Sequence, residues 1–202
     1  MIAMNNAGIN NAAFSSKAIR DSKPGRRGSS FVKLFIPVII FLLQIPFSAK
    51  AQDETNYAIH ANIIYHFTKY INWPEDKKSG DFIIGIIGNQ LLYDELKKNI
   101  ADKMVGHQKI VIKKFSSSAN SFNCHILFIS DDESGNIKKI SSKTAATSTL
   151  LVSESEGLAQ KGSCINFVIV SDHLKLEINK TNIELRNLDI ASELLQLGKI
   201  VR

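Results

Sequence analysis

The chain has 202 residues, 44% of them hydrophobic, with 25 Lys and Arg against 19 Asp and Glu and a sequence pI near 9.3. That positive excess is local: seven basic residues and one Asp precede Gln52, whereas the remaining 151 residues carry 18 of each sign. A neutral working part gives no support to a nucleic-acid surface, which needs surplus Lys and Arg clustered on the folded domain, and its length fits one domain burying about 70% of its unfolded surface without staples.

Leu34 to Phe47 is almost wholly apolar, interrupted by Gln44 and broken by Pro37 and Pro46. This run is shorter than the roughly 20 residues a helix needs to cross a bilayer. Lys17, Arg20, Lys23, Arg26, Arg27 and Lys33 precede it, and Ala49-Lys50-Ala51 follows as a small-x-small site. Residues 1–51 are therefore expected to be a secretory signal peptide cut between Ala51 and Gln52, with 52–202 as the exported domain. An uncleaved anchor is the alternative reading of the same run.

Along the exported part, Tyr57, Ala61, Ile64, Thr68 and Ile71 recur at helical spacing, which predicts a helix ended by Trp73-Pro74. Trp73 is expected to pack into the core. Phe82 to Gly88 reads as a strand covered on both faces, followed by a helix with Leu92, Leu96 and Ile100 on one side and an Asp94–Lys98 pair on another. Lys109 to Phe115 is a further strand, and Cys124 to Ile129 another. Asp131 or Asp132 is expected to cap a helix reaching about Lys143. Thr149 to Val152 and Cys164 to Val170 are the next strands. Ser171-Asp172 is a two-residue turn into an alternating strand, Leu174 to Asn179. A closing helix is expected from about Ile190, carrying Leu194, Leu197 and Val201 behind an Asp189 cap. The pattern predicts an α/β single domain, a mixed sheet flanked by helices on both faces.

Residues that carry chemistry are scarce. Gly85 and Gly88 sit on a strand before a helix, but neither phosphate-binding spacing is present, so close packing and a turn account for them. His60 and His66 fall about 120° apart around a helix, too far round to share a metal, and His107, His125 and His173 are solitary. No nucleophile has G-x-S-x-G or S-x-x-K context, and no C-x-x-C is present. An enzymatic role, a metal or a cofactor has no residues to name. Cys124 and Cys164 could close a loop of about 40 residues as a disulfide; an intervening Thr149 strand would hold them too far apart, leaving two buried free thiols. Both readings stay open.

The ordered set Ala61-Asn62-Ile63-Ile64-Tyr65-His66-Phe67-Thr68-Lys69-Tyr70-Ile71-Asn72-Trp73-Pro74, Phe82 to Gly88, Cys124 to Ile129, Gly162-Ser163-Cys164-Ile165-Asn166-Phe167 and Leu176-Glu177-Ile178-Asn179 resembles the YfiR/HmsC family of periplasmic bacterial proteins. The resemblance spans essentially the whole exported part. It implies a small α/β protein, often a homodimer, that restrains a membrane-bound diguanylate cyclase by binding its periplasmic part. In some members cysteine pairs respond to redox state, which would give Cys124 and Cys164 that role here. It implies no catalytic or cofactor residue. Alternatives are a periplasmic receptor for a small ligand and a regulator of a membrane sensor kinase.

Overall fold

A computed structural model of the chain describes residues 56–202, so the expected signal segment and its cleavage residues Ala49, Ala51 and Gln52 lie outside the described residues. The centre of the domain is a run of five parallel strands: β2 (Phe82–Ile87), β4 (Gln108–Lys114), β5 (Ile126–Ile129), β6 (Leu150–Ser153) and β7 (Ile165–Val170). All four residues of β5 and of β6 are buried, which is why these segments read as continuous apolar runs. Antiparallel β8 (His173–Asn179) hairpins back from β7 through Ser171 and Asp172, both at positive φ as a type I′ turn requires. With β3 (Met104–Val105) and β10 (Lys199–Val201) at the edges, the eight-stranded order is β10-β8-β7-β6-β5-β2-β4-β3.

The chain runs outward in both directions from the middle of this sheet. Helix α2 (Gln90–Asn99) joins β2 to β4 on one side, and α3 (Ile137–Thr144) joins β5 to β6 on the other. Right-handed crossovers travelling in opposite directions place these helices on opposite faces. Helix α1 (Tyr57–Tyr70) packs beside α2, burying His60, Ala61, Ile64 and Phe67. Beyond α4 (Lys180–Glu184), buried Arg186 donates from Nη2 to Ser141 Oγ of α3 at 2.7 Å and to Gly162 O at 3.1 Å. The expected single α/β domain with a mixed sheet and helices on both faces is the observed one.

Four local expectations differ from the structure. The first helix stops at Tyr70, and Ile71–Asn72 forms β1, paired antiparallel with β9 (Asp189–Ile190). The closing helix is only Ser192–Gln196 (α5), after which Lys199–Val201 runs parallel to β8; Asp189 is thus a strand residue, and Ala191 at the cap position makes no side-chain cap. Spacings of three and four at Leu194, Leu197 and Val201 suited a helix, but Gly198 followed by β-branched Ile200 and Val201 favours a strand end on a free sheet edge. Residues Asp131–Asn136 form a 3₁₀ turn before α3 with Ser130 at its cap, and the Asp131 carboxylate instead takes the Ser155 hydroxyl. In α2, Asp94 accepts from Gln90 Nε2 at 2.7 Å, where a pairing with Lys98 was expected.

Below the amino ends of the strands, aromatic groups close the core. Trp73 is 5% exposed, as expected for core packing, and its Nε1 donates to His125 O at 3.3 Å. The His125 ring stacks on Phe82 with centroids 4.3 Å apart. Its Nδ1 accepts from Ile83 N at 3.0 Å and its Nε2 donates to Lys77 O at 2.8 Å, which fixes one neutral tautomer. Burial lowers its pKa in the same direction.

Candidate functional site

Open α/β sheets place ligands outside the carboxyl ends of the strands, where the strand order reverses. Here the reversal falls between β2 and β5, and a cleft of about 650 Å³ lies above the carboxyl ends of β2, β5 and β6. Asn89 follows β2, Ser130 and Asp131 follow β5, Glu154 follows β6, and the outer half of β7 forms a wall. Gly88 is what lets two of these strand ends converge. It has φ +93°, and a Cβ there would stand 1.9 Å from Ser130 Oγ. Gly85, earlier in β2, is required by contact: a Cβ would meet the Phe115 ring at 2.7 Å.

The floor holds a titratable pair from two elements. His60, on the buried face of α1, lies against the Phe167 ring with centroids 4.5 Å apart, and its Nδ1 is 3.3 Å from Asn56 O. Its Nε2 is 3.8 Å from Glu154 Oε2. Glu154 Oε1 accepts from Tyr57 OH at 3.2 Å and from Asp131 N at 3.4 Å. Burial pushes the Glu154 carboxyl up to about 7; the neighbouring Asp131 and Asp132 charges add to the rise, and the two hydrogen bonds oppose it. Burial likewise lowers His60. Both groups are driven toward their neutral forms, so their contact at neutral pH is not an ion pair between two full charges.

Asn166 holds the loop carrying Glu154. Its Nδ2 donates to Ser155 O at 2.7 Å and to Glu177 Oε2 at 3.2 Å, and its Oδ1 accepts from Ser155 N at 3.2 Å. Ser153 Oγ, 2.8 Å from both Asn166 Oδ1 and Ser163 Oγ, fixes that amide from beneath. By contrast, Ser130 Oγ on the cleft lining is buried and has no hydrogen-bond partner among the described residues.

The residues singled out from sequence lie elsewhere. Cys124 and Cys164 precede β5 and β7 at the amino ends of those strands, with β6 between them in the sheet, and neither lines the cleft. Both are free, buried thiols; burial pushes Cys124 up to about 12 and raises Cys164 as well. His66, His107 and His173 are exposed, and no group of three or more metal-ligating side chains occurs among the described residues. Glu154, with Asp131 and Ser130, was missed. Its signal was positional: the polar run Glu154 to Gly157 directly follows a fully buried strand, where a parallel sheet presents its functional end.

A sequence profile of the YfiR/HmsC-like family matches residues 57–199, which is every element from α1 into β10. The chain belongs to the YfiR/HmsC-like family. No curated protein sequence matches it. Among solved structures, this YfiR/HmsC-like domain is similar to a conserved domain protein from Vibrio cholerae O1 biovar El Tor strain N16961, with a TM-score of 0.53 and 12% identity. The alignment covers 73% of this chain and 60% of that one, and at this identity it supports the shared fold alone. Among the described residues of the YfiR/HmsC-like domain, no helix is long and apolar enough to cross a membrane.

Proposed function

We propose that this chain is an exported regulatory binding protein that restrains a membrane-bound signalling protein, a diguanylate cyclase, through that protein's periplasmic part. The observation that carries the reading is the family match over residues 57–199. The YfiR/HmsC-like family is one of regulators, and regulation by stoichiometric binding asks for an accessible surface where catalysis asks for a partnered nucleophile or acid–base pair. Such a surface is available beside the cleft, where Ile169 and Val170 are 63% and 52% exposed. The amino-terminal basic and apolar segments support export, and a homodimer is part of the same proposal. Deleting the gene should raise cyclic di-GMP in the native host, and returning the full chain should lower it. A form lacking residues 1–51 should not complement. Unchanged cyclic di-GMP on deletion would remove the cyclase as target, and complementation by the truncated form would remove the periplasmic site of action.

A receptor for a small ligand is the second reading, favoured by a cleft volume within the range of small-molecule sites, roughly 300–1,000 Å³. Native mass spectrometry of protein purified from the host envelope tests it, since a retained small molecule adds a discrete mass that denaturation removes.

A further inference from the structure

The β7–β8 hairpin outruns the sheet that carries it. Strand β6 pairs with β7 only at Ile165 and Asn166, whereas β8 pairs with β7 as far as Val170. Among the described residues, Phe167 to Val170 therefore have a strand partner on one side only. All four line the cleft, so the free side of this ribbon borders the space above the end of β6. An unpaired strand edge is a template for another strand. Natural proteins blunt such edges with charge, proline or a bulge, and these four residues carry none of them. Ile169 and Val170 instead present large exposed apolar side chains.

The rest of the cleft specifies charge. Asp131, Asp132, Glu154, Glu156 and Glu177 line it, against Lys199 as the sole lysine or arginine among its lining residues. Burial is the main cause of the raised Glu154 pKa, and the Asp131 and Asp132 charges add a smaller rise of the kind a nearby cation would relieve. An open edge, apolar side chains along it and carboxylates facing it are together complementary to one kind of chain: extended, apolar on one side, with Lys or Arg reaching the acidic wall.

We propose that Phe167–Val170 is a strand-docking edge, to which an extended segment of a partner protein adds as a further strand and lays lysine or arginine side chains in the carboxylate-lined cleft. This deepens the regulatory reading and rests on it for the partner's being a membrane protein. Main-chain pairing along the edge supplies affinity, and the alternating side chains supply selectivity for a basic segment.

The test uses the full chain in its native host, with a photo-crosslinking amino acid placed singly at Val168, Ile169 or Val170, and at Met104 and Leu185 as exposed positions elsewhere. Cyclic di-GMP is measured in the deletion strain in parallel. The expected result is a crosslink from 168, 169 and 170 to a membrane protein's extracytoplasmic segment bearing Lys or Arg, with the crosslinked residue advancing one position for each step along β7. Asp132→Lys with Glu156→Lys should reduce the yield at least tenfold. Asp132→Asn with Glu156→Gln serves as a milder second variant and should reduce it in the same direction. Crosslinks only from 104 or 185 would overturn the docking edge while raised cyclic di-GMP left the regulatory reading standing. In-register crosslinks with unchanged cyclic di-GMP would do the reverse. Crosslinks to a second copy of this chain, a retained small molecule with no crosslink, yields unaffected by the charge changes, or no crosslink from any position would each overturn the edge.

Discussion

The two ends of the parallel sheet are built from similar parts and finished differently. At the amino end, the buried His125 has both ring nitrogens hydrogen-bonded at 3.0 and 2.8 Å and a stacked Phe82, with Trp73 sealing it from the side. At the carboxyl end, the buried His60 has longer contacts, 3.3 Å to Asn56 O and 3.8 Å to Glu154, and beside it are a carboxyl held near neutrality and an unpartnered serine hydroxyl. The His125 ring is satisfied within the chain, whereas the polar groups around His60 retain bonding capacity. Stability and recognition are thus separated in this fold: a polar group left short of partners costs free energy unless something outside the chain supplies them.

The comparison predicts its largest effect at the closed end. Phe82→Ala should cost about 3–5 kcal/mol, read as a lower denaturant midpoint with unchanged slope, because the ring lies between Trp73 and His125 and its loss leaves a cavity. A cost near zero would mean that this end is not the stabilising one.

Next in size is the pH dependence of the open end. Glu154 has its folded pKa raised from 4.5 to about 7, so between those values the folded protein keeps a proton that the unfolded chain has released. Its contribution is fully present below the unfolded value and is lost as pH rises through the folded one, about 3 kcal/mol in all. Glu154→Gln should remove this slope, gaining stability relative to the native protein at pH 8 and not at pH 4. His60 has the opposite sign: its folded pKa lies below 6.5, and its contribution is lost as pH falls. Subtracting the variant's urea-unfolding profile from the native one isolates Glu154, since His60 is present in both. Parallel profiles would show that the carboxyl titrates normally.

Cys124 and Cys164, both at the closed end, should be dispensable for folding, with the double alanine variant costing a few kcal/mol at most under reducing conditions. In the reduced native protein neither thiol should react with a disulfide reagent until denaturant is added, because both are buried and held protonated. Rapid labelling of either in the native state would place it in a more open setting. The smallest effect belongs to the ribbon: Ile169→Ser should shift stability by no more than about 0.5 kcal/mol, as the side chain is already 63% exposed. A large loss there would make the ribbon a structural element and blur the contrast between the ends.

Much of this architecture was legible from residue order. The apolar runs at Phe82, Ile126 and Ile165 announced buried strands, and Ser171-Asp172 between alternating segments announced the hairpin. The carboxy-terminal tail was misread because Leu194, Leu197 and Val201 satisfy a helical spacing while the partner that draws residues 199–201 into a strand, β8, is a matter of tertiary contact. The pairing of Ile71 with Ile190 was illegible for the same reason, as two residues carry no periodicity. The cleft was less legible than the fold. His60 and His66 were weighed against each other as metal ligands, whereas the relevant neighbour of His60 is Glu154, nearly half the chain away. Only the strand order brings those two residues together.

The β1–β9 clasp has a consequence for how the chain is assembled. It joins Ile71 to Ile190, and Ala191 N donates to Tyr70 O at 2.8 Å, fastening the end of α1 to one of the last segments of the sequence. A loop of about 120 residues has to close before that contact forms, and such non-local closures come late and slowly. When the chain is synthesised or threaded from its amino end, α1 emerges first with Ile64 and Phe67 uncovered, while Phe167, the ring that stacks on Phe67, follows 100 residues behind. The nascent protein therefore carries an apolar stripe without its cover for most of its passage and depends on a holding chaperone, or on speed, to reach its native state before it aggregates.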